Sequence, residues 1–256
     1  MHDSGSKTLQ RLLKGDTDES ARRPTARSTS EALDLVLLFD TTGSMYTYLE
    51  KVRAKLAELA SEVFSVIPNT RVGVVAFGDY SDAQSTYVVK VLELTSDFDQ
   101  VQKFIFGVQP TGGGDQPEAI EEALYSANHL HWRIGARRAA VLVGDAPPHG
   151  VIDSRLDFQY GHFYLDEASS LGQKAVRLYT VQCGNDASAE RSFQEMAKVT
   201  HGKYLHLEGI DDLVQLIAAI SMKEVGLLSA YTDRLAELKQ LTPSRQRLLA
   251  MLNDDA

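Results

Sequence analysis

The chain of 256 residues contains a single cysteine, Cys183, so no disulfide can form within it. It has no Asn-X-Ser/Thr glycosylation acceptor, and no apolar run approaches the roughly 20 residues a membrane-spanning helix requires. Met1 to Asp34 lacks an apolar stretch of signal-peptide length. These absences predict a cytoplasmic protein with no membrane partner. Cations are also scarce: 26 Lys and Arg stand against 35 Asp and Glu, a net charge of −9. General nucleic-acid binders usually carry a basic surplus, so no nucleic-acid partner is expected. Several enzyme signatures are missing as well. There is no Gly-x-x-x-x-Gly-Lys-Ser/Thr loop, no Gly-x-Gly-x-x-Gly fingerprint, no His-Glu-x-x-His and no Gly-x-Ser-x-Gly elbow.

What remains is the composition of a globular domain, 43% hydrophobic and 24% charged. Residues 1–31 are rich in Ser, Thr, Arg and Asp, with only Leu9, Leu12 and Leu13 hinting at a helix. Such a segment buries too little apolar surface to order itself, so a flexible tail is expected. From Leu33 the pattern changes. Leu33 to Phe39 is a nearly continuous apolar run, as a strand buried on both faces should be. Val52, Leu56, Leu59, Val63 and Ile67 then recur at spacings of three and four, which predicts a helix stopped by Pro68.

Arg71–Phe77 and Thr86–Leu92 read as strands. Helices are expected over 97–106, 118–130, 165–175, 187–200 and 210–223, and strands over 139–143, 176–182 and 203–207. Strands alternating with helices predict an α/β fold: a doubly wound, mostly parallel sheet flanked by helices. Such sheets bind ligands beyond the carboxyl ends of their strands, where Asp40 and Asp145 are expected. Beyond Glu224 the pattern is helical, with Leu227, Tyr231, Leu235 and Leu238 on one stripe and Thr242-Pro243 opening another helix. This extension is expected either to pack on the parent domain or to bind a partner or a second copy. The expected organisation is a tail over 1–31, a domain over 32–223 and a helical extension over 224–256.

Three segments combine oxygen donors with tight turns: Asp40-Thr-Thr-Gly-Ser44, Thr111-Gly-Gly-Gly-Asp-Gln-Pro-Glu118 and Gly144-Asp-Ala-Pro-Pro-His149. Carboxylates and hydroxyls without His or Cys pairs suit a hard cation, Mg²⁺ or Mn²⁺. These segments, in this order, resemble those of von Willebrand factor type A domains, most closely the intracellular branches, over about Leu33 to Met222. The resemblance implies a six-stranded Rossmann-like sheet and a metal-ion-dependent adhesion site that binds a partner protein through an Asp or Glu side chain. It implies that Thr42 and Ser44 offer hydroxyls to the metal, with Asp40 and Asp145 acting mainly through waters. Two positions depart from the family pattern. Thr42 replaces the usual middle serine, and Asp115 stands where the second loop usually has threonine. Asp115 is the expected ligand there, with Thr111 and Glu118 as alternatives.

His149 is read either as a residue supporting the metal or touching a partner, or as a solvated loop histidine. In the loop over 146–163, Tyr160, His162 and Phe163 are candidates for partner selection. His201, His206 and Trp132 are expected to be structural, and Cys183 to act as a small apolar residue. Three other readings compete with an intracellular adaptor. One is a scaffold with a structural metal site that binds through its C-terminal helices. The others are a phosphoryl-accepting Asp40 and a Ser44–His149–Asp145 triad, for which Ser44 is better explained as a ligand.

Overall fold

The computed structural model describes residues 32–114, 116–151, 161–207 and 209–253. The expected tail over 1–31, Asp115 and Tyr160 lie outside the described residues.

The apolar run Leu33–Asp40 forms β1, buried along its whole length. Its side chains alternate between two cores. Leu33, Leu35, Leu37 and Phe39 enter one, and Val36 and Leu38 the other. The sheet has six strands: β1, β2 (Thr70–Phe77), β3 (Val89–Thr95), β4 (Arg137–Gly144), β5 (Arg177–Cys183) and β6 (Tyr204–Leu207). Their order is β3-β2-β1-β4-β5-β6, with β3 antiparallel to β2 and every other pairing parallel. The chain therefore winds outward in both directions from β1 and β4. That reversal places the ends of these two strands side by side, with Asp40 at one and Asp145 just past the other.

Helices α1 (Tyr46–Val66) and α2 (Phe98–Gly107) contribute Val52, Val63, Val101 and Ile105 to the first core. On the other face, α3 (Ile120–Asn128), α4 (Tyr164–Gln173) and α5 (Ala187–Val199) contribute Leu124, Leu171 and Phe193. Each such side chain, fully buried, stabilises the fold by about 1.5–3 kcal/mol. At the amino end of β1, Asp34 is completely buried. Arg71 donates to its Oδ2 at 2.7 Å, and Arg133 lies 2.7 Å from its Oδ1. Burial alone would raise Asp34, but these guanidiniums outweigh it and lower its pKa.

The third strand differs from expectation. It runs over Val89–Thr95 instead of 86–92, because a 3-10 turn over Tyr80–Gln84 takes up chain first. Asp79 caps that turn reciprocally with Asp82. Tyr87, expected in the strand, instead sends its hydroxyl to Thr41 Oγ1 at 2.9 Å and the Gln109 carbonyl at 2.6 Å.

After β6, α6 (Leu213–Glu224) carries a nearly continuous buried surface. Helices α7 (Leu228–Glu237) and α8 (Pro243–Asn253) pack against it, burying Leu228, Tyr231, Leu235, Leu248, Leu249 and Leu252. Thr242 caps α8 as its sequence suggests, accepting from the Arg245 amide at 3.3 Å. Leu238 does not join the stripe. The helix ends at Glu237, Lys239 turns the chain with φ 57°, and Leu238 is left exposed. Among the described residues no helix is long and apolar enough to cross a membrane. Leu252, with no exposed surface, tests how firmly the extension is docked. Leu252→Ala is expected to lower stability by about 2–5 kcal/mol in urea titration. A change near zero would mean that α8 is detached in solution.

Candidate metal and partner site

The loop after β1 folds around Asp40. The Thr42 amide and hydroxyl both donate to Asp40 Oδ1, at 2.8 and 2.7 Å. Ser44 Oγ lies 3.4 Å from Thr42 Oγ1 and donates to Asp145 Oδ1 at 3.1 Å, so the first and third loops meet directly. Glu118 joins them. Its amide donates to the Pro147 carbonyl at 3.0 Å and its backbone pairs with Pro148, which delays the expected helix start to Ile120. Its carboxylate lies beside the Thr42 side chain, both facing Gly113. Asp40, Thr42, Ser44, Glu118 and Asp145 therefore converge, with Asp40, Thr42 and Glu118 buried and Ser44 exposed at the rim.

The second loop is shaped by a residue the sequence did not single out. Asp82 accepts from the Gly112 and Gly113 amides at 2.9 and 3.1 Å, thirty residues away. Gly113 has φ 70°, and a Cβ there would stand 3.1 Å from Glu118 Oε1. Only glycine fits both conditions. Thr111 does not join the cluster. Its Oγ1 lies 3.3 Å from Thr41 Oγ1, whose own proton goes to the Phe77 carbonyl at 2.7 Å.

The electrostatics are one-sided. Burial, followed by the Asp145 charge, pushes Asp40 up to about 7 against the partial relief of the Thr42 hydrogen bonds. Burial and then the charges of Asp40 and Asp79 push Glu118 up to about 9. Asp145 is raised too, by burial and by Asp186. Asp40 Oδ2 and Glu118 Oε2 are buried without a hydrogen-bond partner among the described residues. Placing ionised carboxylates in such a site costs several kcal/mol each unless a positive charge joins them. Among the described residues no group of three or more Asp, Glu, His or Cys side chains is placed to hold a metal ion by itself. The donor set is instead carboxylates plus hydroxyls with one open side, which fits a hard, partly hydrated cation such as Mg²⁺.

His149 is not a solvated loop residue. It is buried, its Nε2 3.3 Å from Asp79 Oδ1 and its Nδ1 3.0 Å from Glu121 Oε1, with the Tyr80 ring edge-on at 5.1 Å. Burial would lower its pKa, but the two carboxylates outweigh it and raise it to about 10. The imidazolium ties the third loop to the 3-10 turn and to α3. Of the other candidates, His162 lies 3.6 Å from Glu122 and 3.3 Å from Glu167 and stacks on Tyr125, while Phe163 is exposed. Cys183 is buried at the end of β5, and burial raises its thiol pKa. Trp132 donates to the Ala127 carbonyl at 2.9 Å, and His206 Nε2 lies 2.7 Å from the Gly184 carbonyl.

The His149 pair gives the fold a defined pH dependence. With its pKa raised from 6.5 to about 10, His149 contributes fully below pH 6.5 and loses its contribution as pH rises through 10. Burial opposes the effect at Asp79 too, but His149, Ser81 and local amides hold it at about 2, below its ordinary 3.8. Its contribution is thus present above pH 3.8 and lost as pH falls toward 2. His149→Gln is expected to cost about 3 kcal/mol near pH 6, with the deficit shrinking toward pH 10. Thermal melts across that range check this, and a penalty that stays constant with pH would show that charge is not what His149 contributes.

Relatives place the fold. The family model described as von Willebrand factor type A domain matches residues 34–219. A protein of Acanthamoeba polyphaga mimivirus named as an ariadne-like RING finger protein is 26% identical over 198 residues, 71% of this chain and 19% of its own. The alpha-protein kinase vwkA of Dictyostelium discoideum is 24% identical over 123 residues, 47% of this chain and 19% of its own. The chain thus spans about a fifth of the length of these relatives. Among solved structures, the pilus adhesin SpaC of Lactobacillus rhamnosus GG superposes with a TM-score of 0.58 at 12% identity, covering 76% of this chain and 30% of that one. BatB of Bacteroides thetaiotaomicron gives 0.52 at 19% identity, covering 78% and 99%. Over its central α/β region, this chain belongs to the von Willebrand factor type A domain family.

Proposed function

We propose that this protein is a metal-dependent protein–protein interaction module, acting as a cytoplasmic adaptor. Domains of its family generally mediate interactions between proteins. The observation that carries the finer reading is the convergence of Asp40, Glu118 and Asp145 with the Thr42 and Ser44 hydroxyls, with Asp40 Oδ2 and Glu118 Oε2 buried and unpartnered among the described residues. In this reading Asp40, Thr42, Ser44 and Asp145 hold Mg²⁺ or Mn²⁺, with Asp115 or Glu118 supplying the second loop's oxygen. When bound, the cation supplies positive charge and an open position for an Asp or Glu side chain of the partner. The chain's own part is to present the Ser44 hydroxyl at an exposed rim above buried Thr42 and a buried acidic floor, and to fix three loops before the partner arrives.

The scaffold reading, with binding through the C-terminal helices, finds less support, because the leucines of α8 are turned inward onto α6.

Calorimetry with Mg²⁺ and Mn²⁺ tests the site directly. Wild type is expected to bind, and Asp40→Ala/Ser44→Ala to lose at least about tenfold in affinity while its circular dichroism is retained. Absence of binding by the folded wild type would overturn the proposal. Asp115 offers a second check. If Asp115 binds the metal directly, Asp115→Thr removes a negative charge from its shell, so it is expected to weaken metal binding yet strengthen the hold on an acidic partner peptide. Weakening of both would refute a ligand role for Asp115.

A further inference from the structure

The amino end of the sheet carries a different kind of site. A cavity of about 450 Å³ opens where β5 and β6 begin, lined by Arg177, Lys198, Lys203 and Lys223, with His201 and Tyr204 beside them. Among the described residues no carboxylate lines it, in a chain whose net charge is −9. It stands at the opposite pole from Asp40 and Asp145, so nothing about it depends on the metal reading.

The cavity is built into the backbone. A Cβ on Gly202 would fall 1.9 Å from the Leu178 carbonyl, so only glycine lets the turn between α5 and β6 lie against β5. The turn is then pinned. The Gly202 amide donates to Ala197 at 2.9 Å, Thr200 Oγ1 accepts from the Leu178 amide at 3.1 Å, and Thr180 donates to the Lys203 carbonyl at 3.0 Å. His201 and Lys203 are therefore presented from fixed positions.

The positive charge is only partly answered. Buried Glu224 accepts from the Tyr179 hydroxyl at 2.5 Å and lies 3.4 Å from Arg177 Nη1, orienting that half-exposed guanidinium toward the cavity wall. Lys223 donates to the Leu252 carbonyl of α8. On the Tyr204 side, Glu190 accepts from Gln194 at 3.1 Å. Lys198 and Lys203 form no ion pair among the described residues. Among the described residues Arg177 thus shares the Glu224 carboxylate, while Lys198 and Lys203 add two cations with no ion pair of their own, a surplus whose charges repel until an anion enters. A monocarboxylate would leave much of that surplus standing. A tetrahedral dianion would answer it, because a guanidinium fork and mobile ammonium groups together match phosphate oxygens. The volume suits a single phosphorylated group and its immediate carrier rather than a duplex.

We propose that this cavity binds a phosphoryl-bearing ligand, a phosphomonoester or pyrophosphate group held by Arg177, Lys198 and Lys203. The first probe is pyrophosphate itself, titrated calorimetrically into the full chain without divalent cation at fixed ionic strength. Saturable binding tighter than about 1 mM is expected, weakened at least about tenfold by Lys198→Ala/Lys203→Ala and retained by Lys198→Arg/Lys203→Arg. Because these side chains are not part of the core, circular dichroism should be unchanged in both variants. No saturable binding, or equal binding by the alanine variant, would overturn the proposal. Competition against pyrophosphate identifies the source. Displacement by a phosphoserine peptide and not its unphosphorylated form points to a modified protein segment, and displacement by a nucleoside monophosphate points to a small metabolite. Displacement by neither overturns the proposal as well.

Discussion

β1 is buried on both faces from Leu33 to Asp40, and that single condition organises the molecule. A strand covered on both sides has nowhere to place polar chemistry except at its ends. Asp34 sits at one end, neutralised by Arg71 and Arg133, and Asp40 sits at the other with no ion pair among the described residues. The contrast between these two buried aspartates separates a structural ion pair from a carboxylate that the described residues leave without one. The same logic extends across the sheet. Carboxylates gather at the carboxyl edges of β1 and β4, and cations gather where β5 and β6 begin.

The acidic site is more than its converging oxygens. Asp82 holds the glycine loop by two amides, Thr41 locks the first loop to β2 and to Thr111, and His149 anchors the third loop beneath Asp79 and Glu121. None of these groups belongs to the cluster around Asp40. They set where the loops can be, and the cluster inherits its geometry from them.

Much of this was legible in the residues. Unbroken apolar runs gave the parallel strands, periods of three and four gave the helices, and oxygen-rich turns after β1 and β4 marked the sheet edge where Asp40, Ser44 and Asp145 meet. What escaped has a common physical cause. Asp82 grips amides thirty residues away, Thr111 spends its hydroxyl on Thr41, and His149 is enclosed by side chains from two other elements. No local pattern encodes a contact fixed only by the closed fold. The displaced start of β3 is different, since Asp79 and Asp82 at capping-box spacing do signal a turn before the strand. The extension was ambiguous because a leucine stripe reads the same whether it faces its own domain or another. Only the neighbouring surface of α6 decides that.

The burial of His149 also bears on kinetics. Loops that must be ordered at the moment of association charge that entropy to the complex and slow its formation. Here the third loop is already fastened at its far end by an imidazolium between two carboxylates, and the glycine loop by Asp82. In the proposed reading, a partner arriving at the Ser44 rim would meet loops that are already ordered. Its association should be governed by diffusion and charge, with discrimination left to how long each partner stays.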